Sequence, residues 1–216
     1  MKNDSVLKHA TTRRVLLLAS VAALAIASGG RAAAHDRDRR VDPPLVPGNL
    51  QVPAGYRAFL EGHAVGTQNF VCLSSGATFA WAFFGPQATL FNDDDQQITT
   101  HFLSANPDEA GLARATWQHS RDTSSVWAFA TPDTTSTDPR FVRPGAIPWL
   151  RLQVVGDEEG PTGGDKLTPT GYIHRVNTVG GIAPATGCAA AADVGKKALV
   201  PYQADYVFYR YGWRDQ

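Results

Sequence analysis

The chain has 216 residues and carries 20 lysines and arginines against 20 aspartates and glutamates, so its formal net charge is zero at pH 7. Five of the basic residues but only one of the acidic residues lie in the first 34 positions, so the remaining chain is acidic. Without a basic surplus the chain cannot neutralise many phosphates, which argues against nucleic acid as a partner.

The N-terminus predicts an export signal over residues 1–34. Basic residues, Arg13 and Arg14 among them, precede an apolar, alanine-rich stretch at 15–27 that is too short to span a bilayer. Small residues then supply a cleavage site before His35. Because the twin arginines are followed by leucines, the signal resembles the Tat type rather than the general secretory type. We expect a secreted or periplasmic protein whose mature chain has no membrane span.

Residues 35–51 are charged and then rich in proline, which predicts a flexible lead-in to one domain at 52–213. The domain contains about ten short runs rich in aromatic and β-branched residues, separated by Gly, Pro, Asn and Asp. The best candidates for short helices are residues 107–115 and 188–197. This pattern predicts an all-β fold, a single-domain antiparallel β-sandwich or barrel with one or two short helices.

Two cysteines, Cys72 and Cys188, fit an oxidising compartment, and we expect one disulfide between them. A thiol nucleophile or a metal ligand is the alternative, but no C-x-x-C motif supports either. Cys188 ends the stretch "HRVNTVGGIAPATGC", whose glycines resemble a phosphate-binding loop. Pro184 and Gly187 prevent the helix that such a loop requires, so we interpret the stretch as a turn that presents Cys188.

Five blocks in order carry a resemblance to a known family: "VPAGYRAFLEGHAVGTQNFVC", "GPQATLFNDDDQQITTHF", "ATWQHSRDTSSV", "AIPWLRLQV" and "IHRVNTVGGIAPATGCAAAADVGKKALVPYQADYVFYR". Over about residues 52–210 the chain resembles domain-of-unknown-function family 3455, a family of secreted bacterial and fungal proteins. The resemblance implies secretion, a β-rich fold and a Cys72–Cys188 pair, and it implies no particular activity. At Asp122-Thr123-Ser124 the chain lacks the glycine of the family's Asp-Gly-Ser segment, so we expect a different turn there.

Four histidines, His63, His101, His119 and His174, lie in the predicted domain without a metal-binding spacing. We interpret each as a structural histidine, and we predict no cofactor. Convergence of two or three of them with Asp122 or Glu61 would instead indicate a metal site. The acidic run at 91–97, "FNDDDQQ", lacks calcium-loop spacing and is interpreted as a turn.

The strand "GYIHRVNT" contains three polar residues, and its alternation divides them between two faces. His174 lies on one face, while Arg175 and Asn177 lie on the other, so either face buries a polar group that requires a partner. Two interpretations stay open. Arg175 forms an ion pair with Asp205 or Asp122, or the three residues line a cleft with His101 and Trp117. We also expect His101 or Asp122 to lie beside this strand.

The sequence contains no recognisable catalytic motif. We interpret most tryptophans and tyrosines as core residues and single out Trp117 and Trp149 as candidates for an exposed sugar-binding platform. The leading hypothesis is a binding module for a carbohydrate or another envelope ligand. The alternatives are a metal-dependent enzyme that uses clustered histidines, and a structural or stress-associated surface protein. The candidate ligand-binding residues are His101, Trp117, Asp122, Trp149, His174, Arg175 and Asn177.

The twin arginines generate a prediction about export. Replacing Arg13 and Arg14 by lysines keeps the charge but removes the pair that the Tat route recognises. We expect the precursor of this variant to accumulate, folded, in the cytoplasm, as measured by cell fractionation. Normal export of the double-lysine variant would show that the signal is of the general secretory type.

Overall fold

The computed structural model describes residues 41–212. The predicted export signal, the first residues of the lead-in and residues 213–216 lie outside this range. Within it the chain forms nine β-strands: β1 Tyr56–Ser75, β2 Thr78–Phe91, β3 Gln97–Asn106, β4 Leu112–His119, β5 Ser125–Phe129, β6 Thr135–Ser136, β7 Trp149–Glu158, β8 Thr170–Gly180 and β9 Lys197–Tyr211. No helix of residues 41–212 has the length and apolar character needed to cross a membrane.

The strands close into a barrel. They follow the order β5-β4-β3-β2-β1-β9-β8-β7, every pairing is antiparallel, and β5 also pairs with β7. The closing ladder runs from Ser125 opposite Glu158 to Phe129 opposite Gln153. The short β6 adds to the other edge of β7. The all-β prediction is therefore confirmed, and of the two architectures left open by the sequence the structure is the barrel.

The helical elements of the described part of the chain are four 3₁₀ turns, at Gly48–Leu50, Pro107–Glu109, Pro132–Thr134 and Ala191–Asp193. The two predicted helical segments contain one turn each. The first is ended by Ala110 and Gly111, both at positive φ, and the chain enters β4 at Leu112. The run at 91–97 is a turn, as predicted, because the Asn92 side chain accepts hydrogen bonds from the backbone of Asp94 and Gln96.

The barrel interior combines small residues on β1 with large ones on β9. Tyr202, Tyr206 and Phe208 of β9 are at most 2% exposed. On β1 a Cβ added to Gly66 would collide with the backbone of Gln87 and Ala88. Gly62 and Gly66 of β1 are the cross-strand partners of Tyr206 and Tyr202. Because an eight-stranded barrel is just wide enough for side chains to fill it, large residues on one strand stand beside small ones on the next.

A second, smaller core lies outside the barrel, on the outer face of β8. Leu50 is fully buried there against Val142, Ala146, Trp149 and Val176. The sequence assigned residues 35–51 to a flexible lead-in, whereas residues 46–50 pack against the folded domain. Their apolar side chains, Val46 and Leu50, cover a strand that would otherwise expose its outer apolar face.

The disulfide joins β1 to the loop before β9. Cys72 and Cys188 are bonded across 116 positions of sequence, with Cα atoms 5.5 Å apart. Gly180, Gly181 and Gly187 all adopt positive φ in the segment that delivers Cys188. The predicted pair and the predicted turn are both confirmed.

The disulfide should contribute strongly to stability, because it constrains a long loop of the unfolded chain. We expect Cys72→Ser with Cys188→Ser to lower the free energy of unfolding by about 4 kcal/mol. Urea denaturation of the oxidised protein and the double variant measures the difference. Equal midpoints, or free thiols in the native wild-type protein, would contradict this expectation.

A candidate ligand-binding cavity

One end of the barrel contains a cavity of about 140 Å³. Its apolar wall is formed by Phe83, Pro86, Leu103, Ala115, Leu150 and Leu152. Its polar lining is formed by Gln68, His101, Trp117, Arg175 and Tyr206. The opposite end of the interior is closed by apolar core residues, among them Leu90, Val126 and Phe208. The polar side chains of the interior are therefore concentrated at the end that is not filled.

An aromatic stack forms the floor of the cavity. His101 and Trp117 are cross-strand partners on β3 and β4, and their rings stack with centroids 4.1 Å apart and planes 12° apart. Tyr206 of β9 packs against both rings, at 5.0 Å from His101 and 5.4 Å from Trp117. All three side chains are at most 3% exposed. The register of three strands thus brings together residues that are far apart in sequence.

His101 is a neutral imidazole with one defined tautomer. Its Nδ1 lies 2.9 Å from the carbonyl oxygen of Thr116, so Nδ1 carries the proton and donates it. Burial lowers the pKa of His101 to about 3. The ring therefore adds no positive charge to the cavity at neutral pH.

Arg175 supplies the charge of the cavity. Its Nε and Nη2 donate to the carbonyl oxygen of Pro148 at 3.2 and 2.9 Å. Within residues 41–212 the guanidinium makes no ion pair. The predicted pairing with Asp205 or Asp122 is therefore wrong. Arg175 lies opposite Tyr206 in the β8–β9 ladder and faces the interior, whereas Asp205, one residue earlier, faces outward.

Two hydrogen-bond donors in the cavity lining lack an acceptor. Gln68 Nε2 and Trp117 Nε1 are buried and have no hydrogen-bond partner within residues 41–212. The same is true of Thr99 Oγ1 and Trp149 Nε1, which do not line the cavity. Unpaired buried donors are rare and costly, so two of them beside one unpaired arginine call for an explanation.

Buried tyrosine hydroxyls complete the polar end. The Tyr202 and Tyr206 hydroxyl oxygens lie 3.3 Å apart. Burial raises the pKa of both phenols, and the nearby Arg175 guanidinium offsets part of this effect. Both hydroxyls therefore stay protonated at neutral pH and leave Arg175 as the charged group.

The outward face of β8 is buried as well, under the N-terminal segment. His174 Nε2 donates to the carbonyl oxygen of Leu50 at 2.7 Å, and its Nδ1 accepts from the Tyr209 hydroxyl at 3.0 Å. Burial lowers the pKa of His174 to about 4. This satisfied network holds residues 48–50 against the barrel. His174 thus lies outside the cavity.

The remaining candidate residues also lie away from the cavity. Asp122 organises the turn after β4, since its carboxylate accepts from His119, Ser124 and the backbone of Lys166. Burial raises the pKa of Asp122, but these hydrogen bonds outweigh it and the net shift is downward. Trp149 is buried in the outer core. Of the seven predicted site residues, the cavity brings together His101, Trp117 and Arg175. The expectation that His101 or Asp122 would lie beside β8 is met to the extent that His101 and Arg175 line the same cavity.

Asn177 belongs to a polar cluster on the outer surface that the sequence did not reveal. Its amide donates to Asp205 at 2.7 Å, and the other oxygen of that carboxylate lies 2.7 Å from His63 Nδ1. His63 Nε2 lies 2.8 Å from Asp93. The hydrogen bond that His63 donates to Asp205 is the largest influence that raises the pKa of His63, and burial partly opposes it. His63 and Asp205 are cross-strand partners on β1 and β9. The sequence could have revealed this cluster only if the register of the two strands had been known.

Glu61 adds a third carboxylate to this outer cluster. One ligand atom each from Glu61, His63 and Asp205 lie within 4.8 Å of one another. Burial and then repulsion by Asp205 raise the pKa of Glu61. Both nitrogens of His63 already bond to carboxylates, so a protonated imidazole satisfies the cluster as it stands.

Fold and cavity together define the molecule as an eight-stranded antiparallel β-barrel with a partly polar cavity at one end. Residues 53–210 match the model of the family described as "Protein of unknown function (DUF3455)", and the chain belongs to this family. The resemblance noted in the sequence is therefore confirmed. No curated protein and no solved structure matches the chain.

The buried His174 network predicts a dependence of stability on pH. The pKa of His174 in the folded protein is about 4, below the ordinary histidine value of 6.5, so the unfolded chain binds more protons between these values. Its contribution is complete above pH 6.5 and is lost as the pH falls towards 4. We expect the stability advantage of wild type over His174→Gln to shrink by about 3 kcal/mol between pH 7 and 4.

Urea unfolding of both proteins at several pH values measures this difference. His63→Gln is the control, because the raised pKa of His63 gives the opposite sign, a contribution present at low pH that is lost as the pH rises. A wild-type advantage over His174→Gln that does not change with pH would contradict the assignment.

Proposed function

We propose that this protein is a binding protein, exported through its N-terminal signal, that holds a small hydrophobic molecule in the cavity of its barrel. The observation that supports this best is the cavity itself. A buried apolar cavity of about 150 Å³ accommodates a benzene molecule, and the volume here is about 140 Å³. The ligand is therefore of the size of a single aromatic ring or a short branched chain.

The cavity has an entrance suited to such a molecule. Phe83 and Leu103 line it and are 50% and 37% exposed, while Trp117 at its floor is fully buried. Large apolar side chains at the mouth and a rigid aromatic stack at the floor are typical of sites for hydrophobic ligands. The disulfide is consistent with an extracytoplasmic location.

A sugar is a poorer match to this site. Trp117 and Trp149, the two tryptophans considered for a sugar platform, are at most 5% exposed and cannot present a flat face to solvent. Six of the eleven residues that line the cavity are apolar, which leaves few groups to pair with the many hydroxyls of a sugar. Carbohydrate binding is thus the weaker hypothesis.

The metal-dependent enzyme is the second hypothesis. Its support is the Glu61–His63–Asp205 cluster, which contains one histidine rather than several. The outer cluster lies on the surface of β1 and β9, with the His63 side chain 43% exposed. None of the residues of the outer cluster lines the cavity. A metal-dependent activity and the binding function proposed here are therefore independent of each other.

Filling the cavity should abolish binding. Ala115 lines the wall, and we expect Ala115→Leu to occupy the space of the ligand. Titration calorimetry with a panel of single-ring molecules (toluene, benzyl alcohol, phenol and benzoate) measures binding. We expect at least one member to bind wild type and none to bind the variant.

Ala113→Leu is the matched control, since Ala113 is exposed on the same strand and does not line the cavity. It should bind the panel like wild type. Circular dichroism checks that Ala115→Leu folds, because overpacking costs about 1–3 kcal/mol. Failure of the whole panel to bind wild type, or unchanged binding by Ala115→Leu, would refute the proposed function.

A further inference from the structure

We infer that the ligand carries a carboxylate, which Arg175 binds inside the cavity. The inference rests on the proposed function and adds the chemical class of the ligand, a small carboxylic acid with an apolar body. It follows from the charge of the cavity, its unpaired donors and the arrangement of its wall.

The cavity has an uncompensated positive charge. Arg175 is the one charged side chain among the residues that line the cavity, and no acidic residue lines it. A guanidinium does not lose its proton in proteins, and a partly buried cation is costly unless an anion compensates it. Since Arg175 makes no ion pair within residues 41–212, an anionic ligand would supply the compensating charge.

Hydrogen bonds hold the guanidinium in a defined plane. Arg175 has five N–H groups, and two of them donate to the carbonyl oxygen of Pro148. These bonds fix the plane of the guanidinium through Nε and Nη2. Nη1 makes no hydrogen bond to Pro148, and the guanidinium also interacts with the Tyr206 hydroxyl. This side of the fork faces the cavity and can receive a carboxylate.

The unpaired polar groups of the cavity lining are hydrogen-bond donors, not acceptors. Gln68 Nε2 and Trp117 Nε1 are both donors, and within residues 41–212 neither has an acceptor at full hydrogen-bonding geometry, although Gln68 interacts with the nearby Tyr202 hydroxyl. An ionised carboxylate is an acceptor with about four lone-pair sites, so it can accept from Arg175 and from such neighbours together. A hydroxyl or an amide brings donors of its own and would satisfy this set less well.

The apolar wall of the cavity determines the chemical character of the part of the ligand beyond its carboxylate. The six apolar residues and the His101–Trp117 stack surround the space beside Arg175. An inorganic anion such as phosphate would leave this surface without contacts, whereas an aromatic or branched aliphatic acid covers it. Benzoate has the charge and size that the cavity requires.

The test compares benzoate with benzyl alcohol, a neutral molecule of nearly the same shape, and with inorganic phosphate. We expect calorimetry on the mature protein to give benzoate an affinity at least tenfold above that of benzyl alcohol, and phosphate none. A charged hydrogen bond contributes about 1.5–3 kcal/mol, and 1.4 kcal/mol is a factor of ten. Arg175→Gln should therefore weaken benzoate binding about 10- to 100-fold.

The same variant should change benzyl alcohol binding by less than threefold. Arg140→Gln is the matched control, because it removes the same charge from a side chain that is 81% exposed and paired with Asp138. It should leave both affinities unchanged. Benzoate affinity should be constant from pH 5.5 to 8, because His101 stays neutral there, and should fall near pH 4 as the carboxyl group of the ligand protonates.

Equal affinity of wild type for benzoate and benzyl alcohol would overturn the inference and leave the proposed function standing. Equal weakening of both ligands by Arg175→Gln would do the same. If no single-ring molecule binds wild type, the proposed function itself fails. Should Arg175→Gln not fold, the wild-type preference between the two ligands still decides the question.

Discussion

The pairing of β5 with β7 is the constraint on which the structure depends. This ladder turns an open sheet into a closed barrel and thereby creates an interior. Closure also fixes which side chains meet across that interior. His101 on β3, Trp117 on β4 and Arg175 on β8 come from three strands, and they share one cavity because the barrel brings opposite walls together. In an open sheet with the same register, β3 and β8 would lie four strands apart.

The two ends of the interior divide stability from binding. One end is packed with aliphatic and aromatic side chains, whose burial drives folding. The other end concentrates an arginine, a neutral histidine, a glutamine and two tyrosines, all in a setting where polar groups are expensive. Part of this cost is met by hydrogen bonds to Thr116 and Pro148. The donors of Gln68 and Trp117 and the positive charge of Arg175 lack such partners within the described residues, and a carboxylate ligand would supply them.

Alternation and glycine placement are local signals, and from them the sequence predicted an all-β fold and the turn before Cys188. It predicted about ten short strands, whereas the structure joins neighbouring runs into longer strands, such as the 20-residue β1 and the 14-residue β2. The disulfide was predicted from the two cysteines and the family resemblance. The sequence did not distinguish a barrel from a sandwich, because closure depends on the single non-local pairing of β5 with β7. It left open whether Arg175 pairs with Asp205 or Asp122 or lines a cleft with His101 and Trp117. The ion pair is wrong, because the β8–β9 register places Tyr206 rather than Asp205 opposite Arg175. Gln68 was missed, although it follows Ala64 and Gly66 at the spacing of one strand face.

Other differences arise from contacts that no local pattern encodes. Leu50 lies in a segment with the composition of a linker, yet it is fully buried and its carbonyl oxygen accepts a hydrogen bond from His174. Thr123 adopts a positive φ of 61°, a backbone conformation that residues other than glycine rarely take. Both cases depend on partners elsewhere, the outer face of β8 for Leu50 and the Asp122 network for the turn.

The most direct test of the account is a crystal structure of the mature protein with 4-bromobenzoate, in which anomalous scattering locates the bromine. We expect a single strong bromine peak inside the barrel, on the side of Phe83 and Leu103, with the carboxylate within hydrogen-bonding distance of Arg175. A bromine peak confined to the outer surface, or a carboxylate directed away from Arg175, would contradict it.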